Sequence, residues 1–214
     1  MPEFNVDALI PLFEHTATVM ANKAGELCEL DALMGDGDLG LTMSKGFGAM
    51  PEILVQLDEP DMGKKLTKAG LKMASVVPST MGTLMATGFM SGGKTLIGTE
   101  ILQAADYLRF LRGFSEGIIK RGKCARGDKT VLDAVAAAAD TLENALKNEP
   151  AMTLSAAGAY ALVGATEGVE ATKSMEPRFG KAAVHRAVTG KPDQGACAAK
   201  YMLEAFSEFF SEIM

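Results

Sequence analysis

Three aspartates crowd into the stretch LDALMGDGDLGLT, residues 30–42: Asp31, Asp36 and Asp38, interleaved with Gly35, Gly37 and Gly40. Carboxylates this close repel one another unless a cation or protons compensate. Their hard oxygens suit Mg2+ or Ca2+. The glycines allow tight or positive-φ turns and close approach of backbone to a phosphate. An EF-hand loop does not fit, because counting from Asp36 puts Phe47 where the bidentate Glu is required. Two readings remain: a solvated Asp/Gly turn, or a Mg2+–phosphate site at the start of a helix. Three aspartates on one short loop favour the second.

A second phosphate motif competes with it. GFMSGGKT, residues 88–95, fits the P-loop pattern G-x-x-x-x-G-K-[ST] letter for letter, and would employ Lys94 and Thr95. A working P-loop needs a buried strand before it and a helix after it. Here the preceding STMGTLMAT reads as a loop entering a helix, and no alternation of strands and helices appears. SGG is therefore expected to end a helix rather than to cradle phosphate. Weaker polar clusters lie at PSTMGT (78–83), RGKCARGDKT (121–130) and GKPDQGA (190–196).

The elements that must position these groups read as helices nearly throughout. Val6, Leu9, Ile10, Phe13, Met20 and Leu27 share a face of a long first segment, with Pro11 in its early turns or kinking it. A second helix begins near Met43 and a third spans about 61–73. The fourth covers about 83–90, and the fifth about 100–120. The sixth opens at GDKT with Asp128 as its expected N-cap. A seventh follows Pro150 to about Thr172, and an eighth runs from about Ala196. Eight amphipathic segments with short connections imply an all-α, single-domain antiparallel eight-helix bundle or barrel over residues 1–214. The longest irregular stretch, 174–194, is rich in Arg and Lys and has the length of a functional lid.

Composition agrees and excludes several classes. The 214 residues are 48% hydrophobic but only 6% aromatic, without Trp. Ala, Leu and Met, which are strong helix formers, carry most of the apolar content. A net charge of −6 argues against a nucleic-acid binder. Cys28, Cys124 and Cys197 are an odd number without C-x-x-C spacing, which points to buried thiols in a reducing, cytoplasmic setting. No apolar run approaches the roughly 20 residues of a membrane span, and the acidic N-terminus does not read as a signal peptide. His15 reads as a surface or packing residue and His185 as a solvated loop residue.

Taken in order, these segments resemble the nucleotide-binding L subunit of bacterial dihydroxyacetone kinase. The likeness covers essentially the whole chain. It rests on L-D-x-x-x-G-D-x-D-x-G at residues 30–40, the Ser/Gly-containing loop before the fourth helix, the R-G-K…G-D-K-T segment, and D-x-G-A at 193–196. The resemblance implies an eight-helix barrel with Mg2+ and ADP or ATP at one end. Asp31, Asp36 and Asp38 would hold the metal. Leu39, Gly40, Leu41 and Thr42, with Ser79, Thr80 and Met81, would face the phosphates. Gly122 and Val131 would border adenine, and Asp193 and Gly195 would close the site. Lys181, Asp36 and Asp38 would be the catalytic groups, with Lys181 steadying charge on the transferring phosphoryl group.

The same resemblance implies a K-type subunit that holds the ketose covalently, so the L chain alone would be inactive. A phosphohistidine protein of a phosphotransferase system would recharge a retained ADP in one branch of the family. In the other branch ATP exchanges as a substrate. A homo-oligomer is compatible with either, whereas nucleic acid and membrane are not expected partners. The chain departs from the family pattern at Leu39 (usually His), Thr42 (usually Asn) and Lys181 (usually Arg), and VPSTMGT replaces a Gly-Gly-Ala-Ser-Gly-Pro run. The P-loop NTPase and a non-catalytic helical module of the same fold stand as the alternatives.

Overall fold

The computed structural model describes residues 3–33, 35–179 and 190–213. Among these residues there are nine α-helices and no strands: α1 (Leu9–Asn22), α2 (Ala24–Ala32), α3 (Leu39–Val55), α4 (Met62–Val76), α5 (Thr80–Thr95), α6 (Ala104–Gly122), α7 (Val131–Asn148), α8 (Leu154–Thr172) and α9 (Gln194–Glu212). The first expected helix is broken once, at Lys23, into α1 and α2. Pro11 sits in the first turn of α1, where its missing N–H costs no intrahelical bond.

From α3 onward each helix packs on the next, and α9 returns to α1, so the elements close a ring. From α3 to α8 the connections are short, which makes ring neighbours antiparallel, and α9 returns over a longer connection with its start at the same cleft as the starts of α3, α5 and α7. The N-termini of α3, α5, α7 and α9 therefore emerge at the same end. The ring is filled by rings: Phe13 contacts Phe47, Phe89 and Phe206 at centroid distances of 6.5, 5.4 and 6.0 Å, and Phe89 meets Phe114 edge-on at 5.2 Å. Such pairs add about 0.5–1.5 kcal/mol each to their area burial.

Two expectations about helix ends are corrected. SGG does not terminate a helix, since α5 runs through it to Thr95. Its glycines serve packing: a Cβ at Gly88 would lie 2.4 Å from the Phe114 ring, and one at Gly93 would lie 2.8 Å from the Gly63 carbonyl. With all of 88–95 helical and no strand before it, the segment cannot form a P-loop. The N-cap of α7 is Thr130, not Asp128. Thr130 and Asp133 form a reciprocal capping box, whereas Asp128 accepts from Ala125 N at 2.7 Å and sits 3.4 Å from the Arg178 guanidinium.

No helix among the described residues is long and apolar enough to cross a membrane. All three cysteines are unpaired. His15 pairs with Glu208 at 2.9 Å, tying α1 to α9.

Candidate functional site

The acidic loop is built around Asp31. This residue lies in the last turn of α2, is nearly buried, and accepts hydrogen bonds from the N–H groups of Gly37 (2.9 Å) and Asp38 (3.1 Å). The loop wraps its carboxylate because Gly37 takes φ +77°, a left-handed conformation that favours glycine. Gly35 is equally constrained, since a Cβ there would fall 2.5 Å from Asp31 Oδ1. Asp38 is the N-cap of α3, yet its carboxylate makes no capping bond. One oxygen from each of Asp31, Asp36 and Asp38 lies within 4.8 Å of the others. Three hard anionic donors at that spacing suit a hydrated Mg2+, which accepts a few carboxylates and keeps other positions for water or phosphate.

The three aspartates form one wall of a cleft of about 330 Å3. Leu39 and Thr42 of α3 continue that wall. Ser79, Thr80, Met81 and Leu84 come from the start of α5, Lys129, Thr130 and Val131 from the start of α7, and Asp193, Gln194 and Gly195 from the start of α9. Four helix N-termini thus converge on one space. Each presents N–H groups without intrahelical acceptors and the positive end of its dipole. At α5 the Ser79 hydroxyl takes Gly82 N at 3.0 Å. The intrahelical ladder begins only at Thr83, which bonds to Ser79 O.

Asp193 is the cleft's most perturbed group. Burial pushes its carboxyl from 3.8 up to about 7; Asp133 pushes the same way, while the Ala196 amide and Lys129 oppose it. Burial likewise lowers Lys129 from the ordinary lysine value, against the pull of Asp193.

Of the residues expected from sequence, Asp31, Asp36, Asp38, Leu39, Thr42, Ser79, Thr80, Met81, Val131, Asp193 and Gly195 all line this cleft. Gly40 and Leu41 do not: Gly40 faces α2, and Leu41 is 66% exposed on the outer side of α3. Gly122 stands behind the wall, where a Cβ would meet Leu84 at 3.2 Å. Lys181 and His185 lie outside the described residues. Gly35, named above among the loop glycines, also lines the cleft, as do Leu84, Lys129, Thr130, Phe179 and Gln194, which sequence reasoning did not single out. The Lys-Thr pair sits inside a motif already quoted, so its neighbours carried the signal. Leu84, Phe179 and Gln194 carry no local signature.

Comparison with known proteins identifies the family. The DAK2 domain pattern matches residues 33–208. The chain is 26% identical over 188 residues to the ADP-binding subunit DhaL of the PEP-dependent dihydroxyacetone kinase of Escherichia coli, covering 87% of this chain and 88% of that one. It is 32% identical over 188 residues to the D-erythrulose kinase of Mycolicibacterium smegmatis, covering 86% of this chain but 32% of that protein. In structure it resembles the dihydroxyacetone kinase from C. freundii solved with AMP-PNP and Mg2+, with a TM-score of 0.68 and 22% identity over 97% of this chain. This chain spans 34% of that kinase. On the match to most of its length, the chain belongs to the DAK2 domain family.

Proposed function

We propose that the chain is the Mg2+–nucleotide subunit of a dihydroxyacetone (glycerone) kinase, donating phosphate to dihydroxyacetone or a related small ketose. The observation that carries this is the meeting of three carboxylates and four helix N-termini in one cleft. That combination suits a metal-bound polyphosphate and little else. Residues 1–214 act as one nucleotide-binding unit in this reading, working in the cytoplasm, where its unpaired thiols stay reduced.

Asp31, Asp36 and Asp38 hold Mg2+, with Asp31 also fixing the loop through its two backbone bonds. The amides at the starts of α3 and α5 take phosphate oxygens. Val131 and Leu84 offer an apolar face to the base, and Asp193 and Gly195 close the opposite side. Mg2+, when bound, offsets charge on the phosphate oxygens and aligns them for transfer. Asp36 and Asp38 act at the transferring end, and Lys181 is assigned the neighbouring positive charge. No histidine lines the cleft among the described residues. A K-type partner supplies the acceptor, and the subunit is inactive alone.

In this reading the nucleotide is a tightly held ADP, as the name of the similar ADP-binding subunit suggests, rather than an exchanging ATP. A phosphohistidine phosphotransferase protein then recharges it. The test is to denature purified protein and identify released nucleotide by chromatography, with Asp36→Asn and Lys94→Ala in parallel. Near-stoichiometric ADP, lost in Asp36→Asn and kept in Lys94→Ala, supports the assignment. ADP lost only in Lys94→Ala overturns it.

A further inference from the structure

Lys129 is a lysine where glycine would be easier. Its φ of 59° is left-handed, a region L side chains rarely adopt, and it is only 3% exposed. An ammonium is costly to bury unless its donors are satisfied. Lys129 Nζ donates to the carbonyl of Thr172 at 2.7 Å and to the carbonyl of Lys191 at 2.7 Å. Thr172 ends α8, so the cation also meets the negative pole of that helix.

These two carbonyls flank the α8–α9 connection, and other bonds join the same two ends. Asp193 N donates to Thr172 Oγ1 at 2.9 Å, and Gly190 N donates to Lys173 O at 2.9 Å. Thr172 is fully buried and Asp193 nearly so. Lys129 therefore sits at the junction of three segments: the turn entering α7, the end of α8, and the approach to α9. Two of them carry cleft residues, Thr130 and Val131 on one and Asp193 to Gly195 on the other.

We propose that Lys129 is a positioning residue, whose ammonium locks the ends of the α8–α9 connection onto the α7 turn and so holds two walls of the nucleotide cleft in register. The proposal rests on the nucleotide reading for its functional consequence, not for its geometry. The left-handed backbone turns the side chain inward, while Asp128 faces Arg178 and Thr130 caps α7. A glycine would satisfy the backbone and leave both carbonyls without the cation.

The test compares Lys129→Met and Lys129→Gly with the parent chain by amide hydrogen exchange, ADP titration and Mn2+ titration. Lys129→Gly suits the backbone, so it isolates loss of the ammonium if Lys129→Met fails to fold. Expected are Gly190 and Asp193 amides exchanging about tenfold faster and ADP binding about tenfold weaker, in line with loss of charge-assisted bonds. Mn2+ binding to the three aspartates should hold, and Lys129→Gly should stay folded, the left-handed backbone favouring glycine and offsetting part of the lost bonds. Unchanged exchange at Gly190 and Asp193 overturns the proposal, as does Mn2+ affinity falling in parallel with ADP. If the parent binds no ADP the nucleotide reading fails, and the exchange comparison alone decides the role of Lys129.

Discussion

Gly40 rides on the backbone of Ala24: a Cβ at residue 40 would stand 1.8 Å from the Ala24 carbonyl oxygen. This close approach presses the first turn of α3 against the first turn of α2, and the loop between those helices carries the metal-ligand candidates. The last glycine of L-D-x-x-x-G-D-x-D-x-G is thus a helix-packing residue on its Cα side. Gly40→Ala is expected to destabilise the fold by about 3 kcal/mol, because the obstacle is backbone that cannot rotate away. Urea unfolding measures the loss, and Mn2+ titration of the folded fraction should show weakened binding.

The three aspartates separate by role. Asp36→Asn and Asp38→Asn remove a charged ligand each, so Mg2+ affinity should fall at least about tenfold, and for Asp38, whose carboxylate makes no capping bond, stability should be kept or raised. Asp31→Ala removes the acceptor for Gly37 and Asp38. It should lose the metal and also destabilise by about 1–3 kcal/mol through two orphaned amides. Calorimetric Mg2+ titration beside thermal melts distinguishes the two classes.

The P-loop look-alike yields an inverted expectation. Gly88→Ala should cost about 1–3 kcal/mol, since its Cβ would meet the Phe114 ring at 2.4 Å. Lys94 is exposed in the last turn of α5, and Lys94→Ala should change stability by less than about 0.5 kcal/mol. Neither should alter nucleotide identity. A large loss of nucleotide in Lys94→Ala with an intact fold would contradict this.

Asp193 gives a pH dependence of unusual sign. Burial holds its carboxyl neutral up to about pH 7, whereas the unfolded chain releases that proton near 3.8. The folded state binds the extra proton between those values, so this contribution to stability is complete below about pH 4 and is lost as pH rises through 7. Asp193→Asn keeps an N-cap for α9 and cannot titrate. Metal-free denaturation from pH 4 to 8 should show the stability difference between the two proteins shrinking or reversing across that window. A constant difference would contradict the assignment.

Helix content was legible because Ala, Leu and Met at period 3.6 have one economical solution, and the seams of most helices fell within a few residues of expectation. The aspartate trio was legible because it is local: residues seven apart on one short loop cannot separate far. The ends of α5 and α7 were misplaced for a shared reason. Gly and Asp are signals of helix ends only where nothing packs against them. Gly92 and Gly93 are instead packed against α6 and α4, and Asp128 is turned towards Arg178.

By itself the sequence determined the all-α class, the periodic faces that fill the barrel, and a cluster of hard oxygen ligands, since each depends on neighbours along the chain. Only tertiary structure decided which glycines shape a loop and which admit a neighbouring helix. It alone brought the starts of α3, α5, α7 and α9 to one cleft and drove an ammonium and a carboxyl into its wall. Those outcomes depend on ring closure between residues far apart in the chain, where burial and backbone contact, absent from any local pattern, set the energies.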